Sequence, residues 1–130
     1  MIDKKYEKNL KKLTKEQYDT LVNGATETPF TGKLLNNKEK GMYVCPVCGS
    51  ELFTSDTKFD SGSGWPSFYD VANNKAVKLV DDDSFGMHRT EVNCATCGSH
   101  LGHLFHDAPN EPTGDRFCIN SAALDFKPEE

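Results

Sequence analysis

Two short cysteine pairs constrain this chain more than anything else in it. Cys45-Pro46-Val47-Cys48-Gly49 and Cys94-Ala95-Thr96-Cys97-Gly98 both have the CxxC spacing that lets two thiolates at the tip of a tight turn face one metal ion. Two such knuckles complete a tetrahedral four-cysteine shell. Since 45 residues separate Cys48 from Cys94, an ion held by both would clamp segments that are far apart in the chain. Each pair ends in Gly, which permits the positive φ that turns backbone N–H groups toward the sulfurs. Four thiolates fill the coordination sphere, so a zinc held this way is structural, whereas a catalytic zinc keeps an open position. Two local disulfides, an iron–sulfur centre and a redox-active CxxC are the alternative uses of the same four residues.

The rest of the chain fits a small metal-clamped domain. At 130 residues it can build one hydrophobic core of ordinary size but not two. No apolar run approaches the ~18 residues of a membrane helix, so no membrane partner is expected. Met1-Ile2-Asp3-Lys4-Lys5 has no apolar signal-peptide core behind it. The expected location is the cytoplasm, where thiols stay reduced and CxxC pairs read as metal sites. The net charge of -5 conceals an asymmetry, because residues 1–15 hold six Lys against Asp3 and Glu7, a local +4 that leaves -9 elsewhere. Such an arm can touch nucleic acid or anionic lipid, but lysines spread over a leading helix more often form a solvated face. The acidic remainder repels phosphate, and no nucleic-acid partner is expected.

Strand signals outnumber helical ones. Thr14-Lys15-Glu16-Gln17 has capping-box form, with Tyr18, Leu21 and Val22 behind it at helical spacing and Asn23-Gly24 as a stop. Residues 26–41 carry Pro, Gly, Asn and Lys-Glu pairs without sustained periodicity and read as connecting chain. Met42–Val44 enters the first knuckle and Glu51–Ser55 leaves it, a β-hairpin with the metal pair near its turn. Gly86–Val92 and Leu101–Phe105 repeat that plan around the second. Between them Ala76–Val80 alternates as a strand before a turn at Asp81–Ser84. One or two further strands run from Phe117 to Phe126, broken near Ala122-Ala123. The expected fold is mainly β: an antiparallel β sandwich or barrel with a four-cysteine knuckle pair and one or two short peripheral helices.

Cys118 is the one cysteine left outside the pairs. Buried structural cysteines are commoner than reactive ones, but its neighbours favour chemistry. Arg116 and Asn120 lie two residues to either side, on the same face if the segment is extended. There a positive charge would favour the thiolate and an amide could donate to it, which predicts a lowered pKa in the ~3.5–7.5 range. His100-Leu101-Gly102-His103, with His106 and Asp107, could be a metal set, but the four cysteines already provide for a metal. His103 and Asp107 then read as an acid or base with its orienting carboxylate, and His106 as an ordinary surface histidine. Ser61-Gly62-Ser63-Gly64-Trp65-Pro66-Ser67-Phe68 is a flexible loop followed by the only Trp of the chain. An indole at a cleft suits a methyl group, a sulfur or a cation, although Trp is more often a core or edge residue.

Taken together these stretches resemble the methionine-R-sulfoxide reductases of the B type. The resemblance runs from Thr14 to Phe126 and rests on Gly-Trp-Pro-Ser-Phe at 64–68, Arg89-Thr90-Glu91-Val92, His100-Leu101-Gly102-His103, and Arg116 through Leu124. It implies one reductase domain over residues 1–130, one structural zinc on Cys45, Cys48, Cys94 and Cys97, and Cys118 as nucleophile. It further implies Trp65 as the wall for the substrate's S-methyl group. His103, Asp107, Arg116 and Asn120 would line the site, with His100 and Phe68 supporting substrate binding. The implied reaction is reduction of the R epimer of methionine sulfoxide, protein-bound or free, through a Cys118 sulfenic acid that thioredoxin or another thiol resets. A monomer is expected. In one respect the chain departs from the pattern: many members carry a second cysteine at the place of Ser63, and here no cysteine remains for an internal disulfide. Two other readings compete, a non-catalytic zinc module with Cys118 buried and a thiol peroxidase. A peroxide would have no use for Trp65.

Overall fold

The two cysteine knuckles are the turns of two β-hairpins, as their flanking residues predict. In the computed structural model, which describes residues 4–83, 86 and 88–129, β1 (Gly41–Val44) enters the first knuckle and β2 (Glu51–Thr54) returns antiparallel to it. Around the second knuckle β6 (Arg89–Cys94) and β7 (His100–Phe105) do the same. Each ladder slips register close to its cysteines, at Tyr43/Val44 and at Val92/Asn93. Such bulges sharpen the local twist and re-aim the strand end.

From these hairpins two antiparallel sheets grow. β9 (Asp125–Pro128) adds to β1, giving the three-stranded order β2-β1-β9. β3 (Lys58–Phe59), β4 (Ser67–Phe68), β5 (Val77–Asp82) and β8 (Arg116–Ile119) join the second hairpin in a six-stranded sheet of order β3-β4-β8-β7-β6-β5. β8 and β9 are separated by a 3-10 turn at Ser121–Ala123, where the sequence shows its break.

Aromatic rings close the space between the sheets. Phe53 of the small sheet stacks on Phe68 of the large one at 4.5 Å, and Tyr43 meets the same ring edge-on at 5.0 Å. Phe117 packs tilted against Phe53 at 5.7 Å. With Leu52, Leu101 and Ile119 these form a core in which a fully buried side chain contributes about 1.5–3 kcal/mol. Phe68 is therefore a correction to the substrate-binding set. It is 0% exposed and packed against Tyr43 and Phe53 in the core.

The helices are α1 (Glu7–Leu10) and α2 (Lys15–Leu21). The Thr14 hydroxyl accepts from the Gln17 amide at 3.1 Å while the Gln17 side chain accepts from the Thr14 amide at 3.0 Å, the reciprocal box read in the sequence. α2 buries Thr20 and Leu21 and packs on the Ser121–Ala123 turn next to the site. The lysine-rich lead is fastened to the metal end, where the Asn9 side chain donates to the Val47 carbonyl.

One turn was expected where the strand continues. Asp81 and Asp82 close β5 instead of leaving it, because Asp82 faces Arg89 across the ladder and its charge is met there. Ser84 of the expected turn, and Met87 of the strand expected to start at Gly86, lie outside the described residues; β6 itself begins at Arg89. No helix among the described residues is long and apolar enough to cross a membrane.

Candidate active site

At one end of the molecule the four knuckle sulfurs converge. All lie within 4.8 Å of one another, with Cys45 to Cys97 and Cys48 to Cys94 both at 3.6 Å. Zinc–sulfur bonds of about 2.3 Å set the edges of a tetrahedron at about 3.8 Å, so the residues fit the ion. The two turns are copies: Gly49 and Gly98 sit at φ 77 and 85, and each donates its amide to the first cysteine's carbonyl at 2.8 Å. Ser50 and Ser99 place a hydroxyl against Cys48 and Cys97, at 3.1 and 3.0 Å. Four sulfurs this close repel one another once they are charged. Holding all four as thiolates calls for a dication.

Cys118 is in the middle of the large sheet, paired with Ser67 on β4 and with His103 on β7. The strands meet closely there, and a Cβ on Gly102 would come 2.1 Å from the Cys118 carbonyl oxygen. Cys118 as a residue is 9% exposed. Burial pushes its thiol above the ordinary value, opposed by the Ser63 hydroxyl at 3.8 Å and by Arg116. The lowered value expected from Arg116 and Asn120 is thus corrected: loss of water outweighs one partly screened cation.

His103 has a carboxylate partner, but not the expected one. Its Nε2 lies 2.8 Å from Asp82 on β5, and Asp82 also meets Arg89 at 3.4 Å. Asp107 instead holds Arg116 in a two-pronged pair at 2.9 and 3.0 Å, which keeps the Asp107 carboxyl below its usual range. The Arg116 guanidinium is further stacked over Phe105 at 4.5 Å. His100 is set behind His103, ring edge to ring at 5.6 Å, with Nδ1 on Glu91 at 2.6 Å. Burial lowers its pKa and keeps it neutral at pH 7. His106 is exposed and paired with Asp115, the surface role expected for it.

Trp65, half-buried, lines the same pocket as Cys118, and its Nε1 donates to the Glu27 carbonyl at 3.0 Å. Glu27 is the residue that sequence reasoning missed, hidden in a stretch read as connecting chain. Its amide donates to Asn120 Oδ1 at 3.0 Å, and its buried carboxylate accepts from the Ala122 amide at 2.9 Å. Asn120 spends its own amide on the Leu101 carbonyl at 3.0 Å. It therefore fastens the wall of the site and does not donate to Cys118 as expected. A 93-residue separation left no local signal for the Glu27 contacts.

Trp65, His103, Cys118 and Asn120 line one pocket of about 70 Å³, together with Arg89 and Phe105. Of the remaining predicted residues, Arg116 is paired with Asp107, His100 packs against His103, and Phe68 is buried in the core.

The SelR domain family matches residues 13–128. The chain belongs to this family. It is similar to the protein named peptide methionine sulfoxide reductase MsrB of Methanosarcina barkeri, 57% identical over 129 residues, which cover 99% of this chain and 90% of the relative. The protein of the same name from Methanosarcina mazei is 60% identical over 118 residues, covering 91% and 84%. Methionine-R-sulfoxide reductase B3, mitochondrial, of Mus musculus is 52% identical over 120 residues, 92% of this chain and 47% of that protein. The family drawn from the motifs is thereby borne out.

Proposed function

We propose that this SelR-family chain is a peptide-methionine (R)-S-oxide reductase that repairs oxidised proteins. The observation that carries the reading is the Cys118 sulfur at the floor of a pocket walled by Trp65 and His103. Trp65 receives the S-methyl group, and the R configuration is selected by which face of the sulfoxide is then turned toward His103. Burial keeps Cys118 a thiol at rest. As its sulfur attacks the sulfoxide sulfur, the thiol proton passes to the sulfoxide oxygen, directly or over His103. Asp82, 2.8 Å from Nε2, holds that ring in place. Methionine leaves, reduced by two electrons, and the oxygen stays on Cys118 as a sulfenic acid. One external thiol then displaces water from it and a second releases the mixed disulfide, restoring Cys118. Thioredoxin and small thiols both supply this chemistry, and a reducing cytoplasm supplies both.

Cys45, Cys48, Cys94 and Cys97 would hold one zinc. The ion ties the small sheet to the large one and, with four sulfurs on it, has no open position for substrate. The test of the reading is turnover of separated R and S sulfoxide epimers with dithiothreitol. Reduction of R alone is expected; equal rates on both, or none, would contradict it.

A further inference from the structure

The pocket over Cys118 accepts only the tip of a side chain. At about 70 Å³ it falls below the ~300–1,000 Å³ of ordinary ligand sites, whereas a groove of about 640 Å³ lies on the other side of its wall. Trp65 lines both. The loop before it divides them: Ser63 turns toward Cys118, while Ser61, Gly62 and Gly64 line the groove.

Two independent features mark the groove as a binding surface for polypeptide. The first is Phe30, the one described non-glycine residue with a left-handed backbone, at φ 66. That conformation costs about 1–2 kcal/mol for a residue with a Cβ, and strain of this kind persists at ligand clamps. The amide of Phe30 is held by the Gly64 carbonyl at 2.8 Å and its ring lies over Gly64, yet the residue is 68% exposed. An aromatic ring is thus fixed on the lip beside Trp65, with most of its surface in water.

The second is β3. Lys58 and Phe59 line the groove, and β3 is the edge of the large sheet, paired among the described strands with β4 alone. An edge strand offers main-chain donors and acceptors to an added extended segment. The groove's charges are of both signs, Lys38 and Lys58 against Glu39 and Asp60, which suits a neutral main chain better than a phosphate or a strongly charged ligand.

We propose that this groove holds the polypeptide flanking an oxidised methionine, extended along β3 and against Phe30, while the sulfoxide tip turns past Trp65 to Cys118. The inference rests on the reductase reading and deepens it. Its test compares kcat/KM for the R epimer of N-acetylmethionine sulfoxide with that for a ten-residue peptide carrying one central methionine sulfoxide. The enzymes are wild type, Phe30→Ala and Phe30→Gly. Glycine suits the left-handed backbone, so it removes the ring without adding strain. Wild type is expected to favour the peptide, and both variants to lose about tenfold on the peptide with less than twofold change on the single residue. Equal losses on both substrates would make Phe30 a prop for the Trp65 loop and overturn the proposal. No loss on either would overturn it too, as would wild-type dimerisation abolished by Phe30→Gly with peptide kinetics intact, which would give the groove to a second copy. Failure of wild type to reduce either substrate would sink the reductase reading itself.

Discussion

The knuckle cysteines and Cys118 are the same side chain in opposite surroundings. At the metal end, the sulfurs neighbour one another, and Cys48 and Cys97 each also meet the serine hydroxyl two residues on. Around Cys118, only Arg116 and Asn120 are near in sequence: Ser63 and Trp65 come from a loop, His103 from β7, Asp82 behind it from β5, and Glu27 from the chain after α2. Clustering makes a cysteine structural, because four thiolates saturate a cation and leave nothing to react. Isolation under an apolar wall leaves one thiol available, and the sheet supplies the groups that control it.

The sharpest way to break this contrast is to exchange roles by mutation. Cys118→Ser is expected to reduce turnover to background while metal content and melting temperature stay at wild-type values. Loss of zinc from that variant would join the two regions that we separate. Cys97→Ser should do the reverse. It removes a ligand from a centre whose binding is typically worth ~10–16 kcal/mol, so the metal should be lost and stability fall by several kcal/mol. Metal analysis with a thermal melt checks it.

A smaller effect sharpens the assignment of the His103 partner. Asp82→Asn is expected to lower kcat about a hundredfold, within the range of acid–base catalysis, with KM little changed. Asp107→Asn should cost less, since it loosens Arg116 without touching the imidazole. The opposite ranking would restore Asp107 to the role that the sequence suggests.

The smallest effect concerns pH. Burial raises the Cys118 pKa, so alkylation in the absence of substrate should reach its midpoint above the ~8.5 of a free thiol. Arg116→Met should move it higher still. The sign for stability follows. The folded protein holds this proton more tightly than the unfolded chain, so the contribution is intact below ~8.5 and is lost as pH rises through the folded value. A midpoint below 8 in wild type, by iodoacetamide rates against pH, would contradict the burial account.

What could be read from the sequence follows the same division. The four-cysteine cluster, both hairpins and the α2 cap were legible because their signals are local: a CxxC turn and a capping box each span four residues. Cys118 stood out by exclusion, and family motifs gave Trp65 and His103. The partners were not legible. Asp82 looked like part of an acidic turn, since nothing near it in sequence shows that Arg89 and His103 fold onto it. Glu27 sat among prolines and glycines without period. Phe68 read as a substrate-binding residue through its company in the Trp65 loop, whereas two core rings bury it. The pKa of Cys118 was misjudged for a related reason, as flanking charge is visible in a sequence and desolvation is a property of the packed sheet.

One measurement bears most directly on the claim that four cysteines serve structure and one serves chemistry. The zinc-loaded protein is given one equivalent of methionine-R-sulfoxide without reductant, then dimedone, and both the protein and released zinc are quantified. The account predicts one methionine per chain, a dimedone adduct on Cys118, and no zinc released. A disulfide between Cys118 and any of Cys45, Cys48, Cys94 or Cys97, formed at the rate of turnover with loss of zinc, would contradict it.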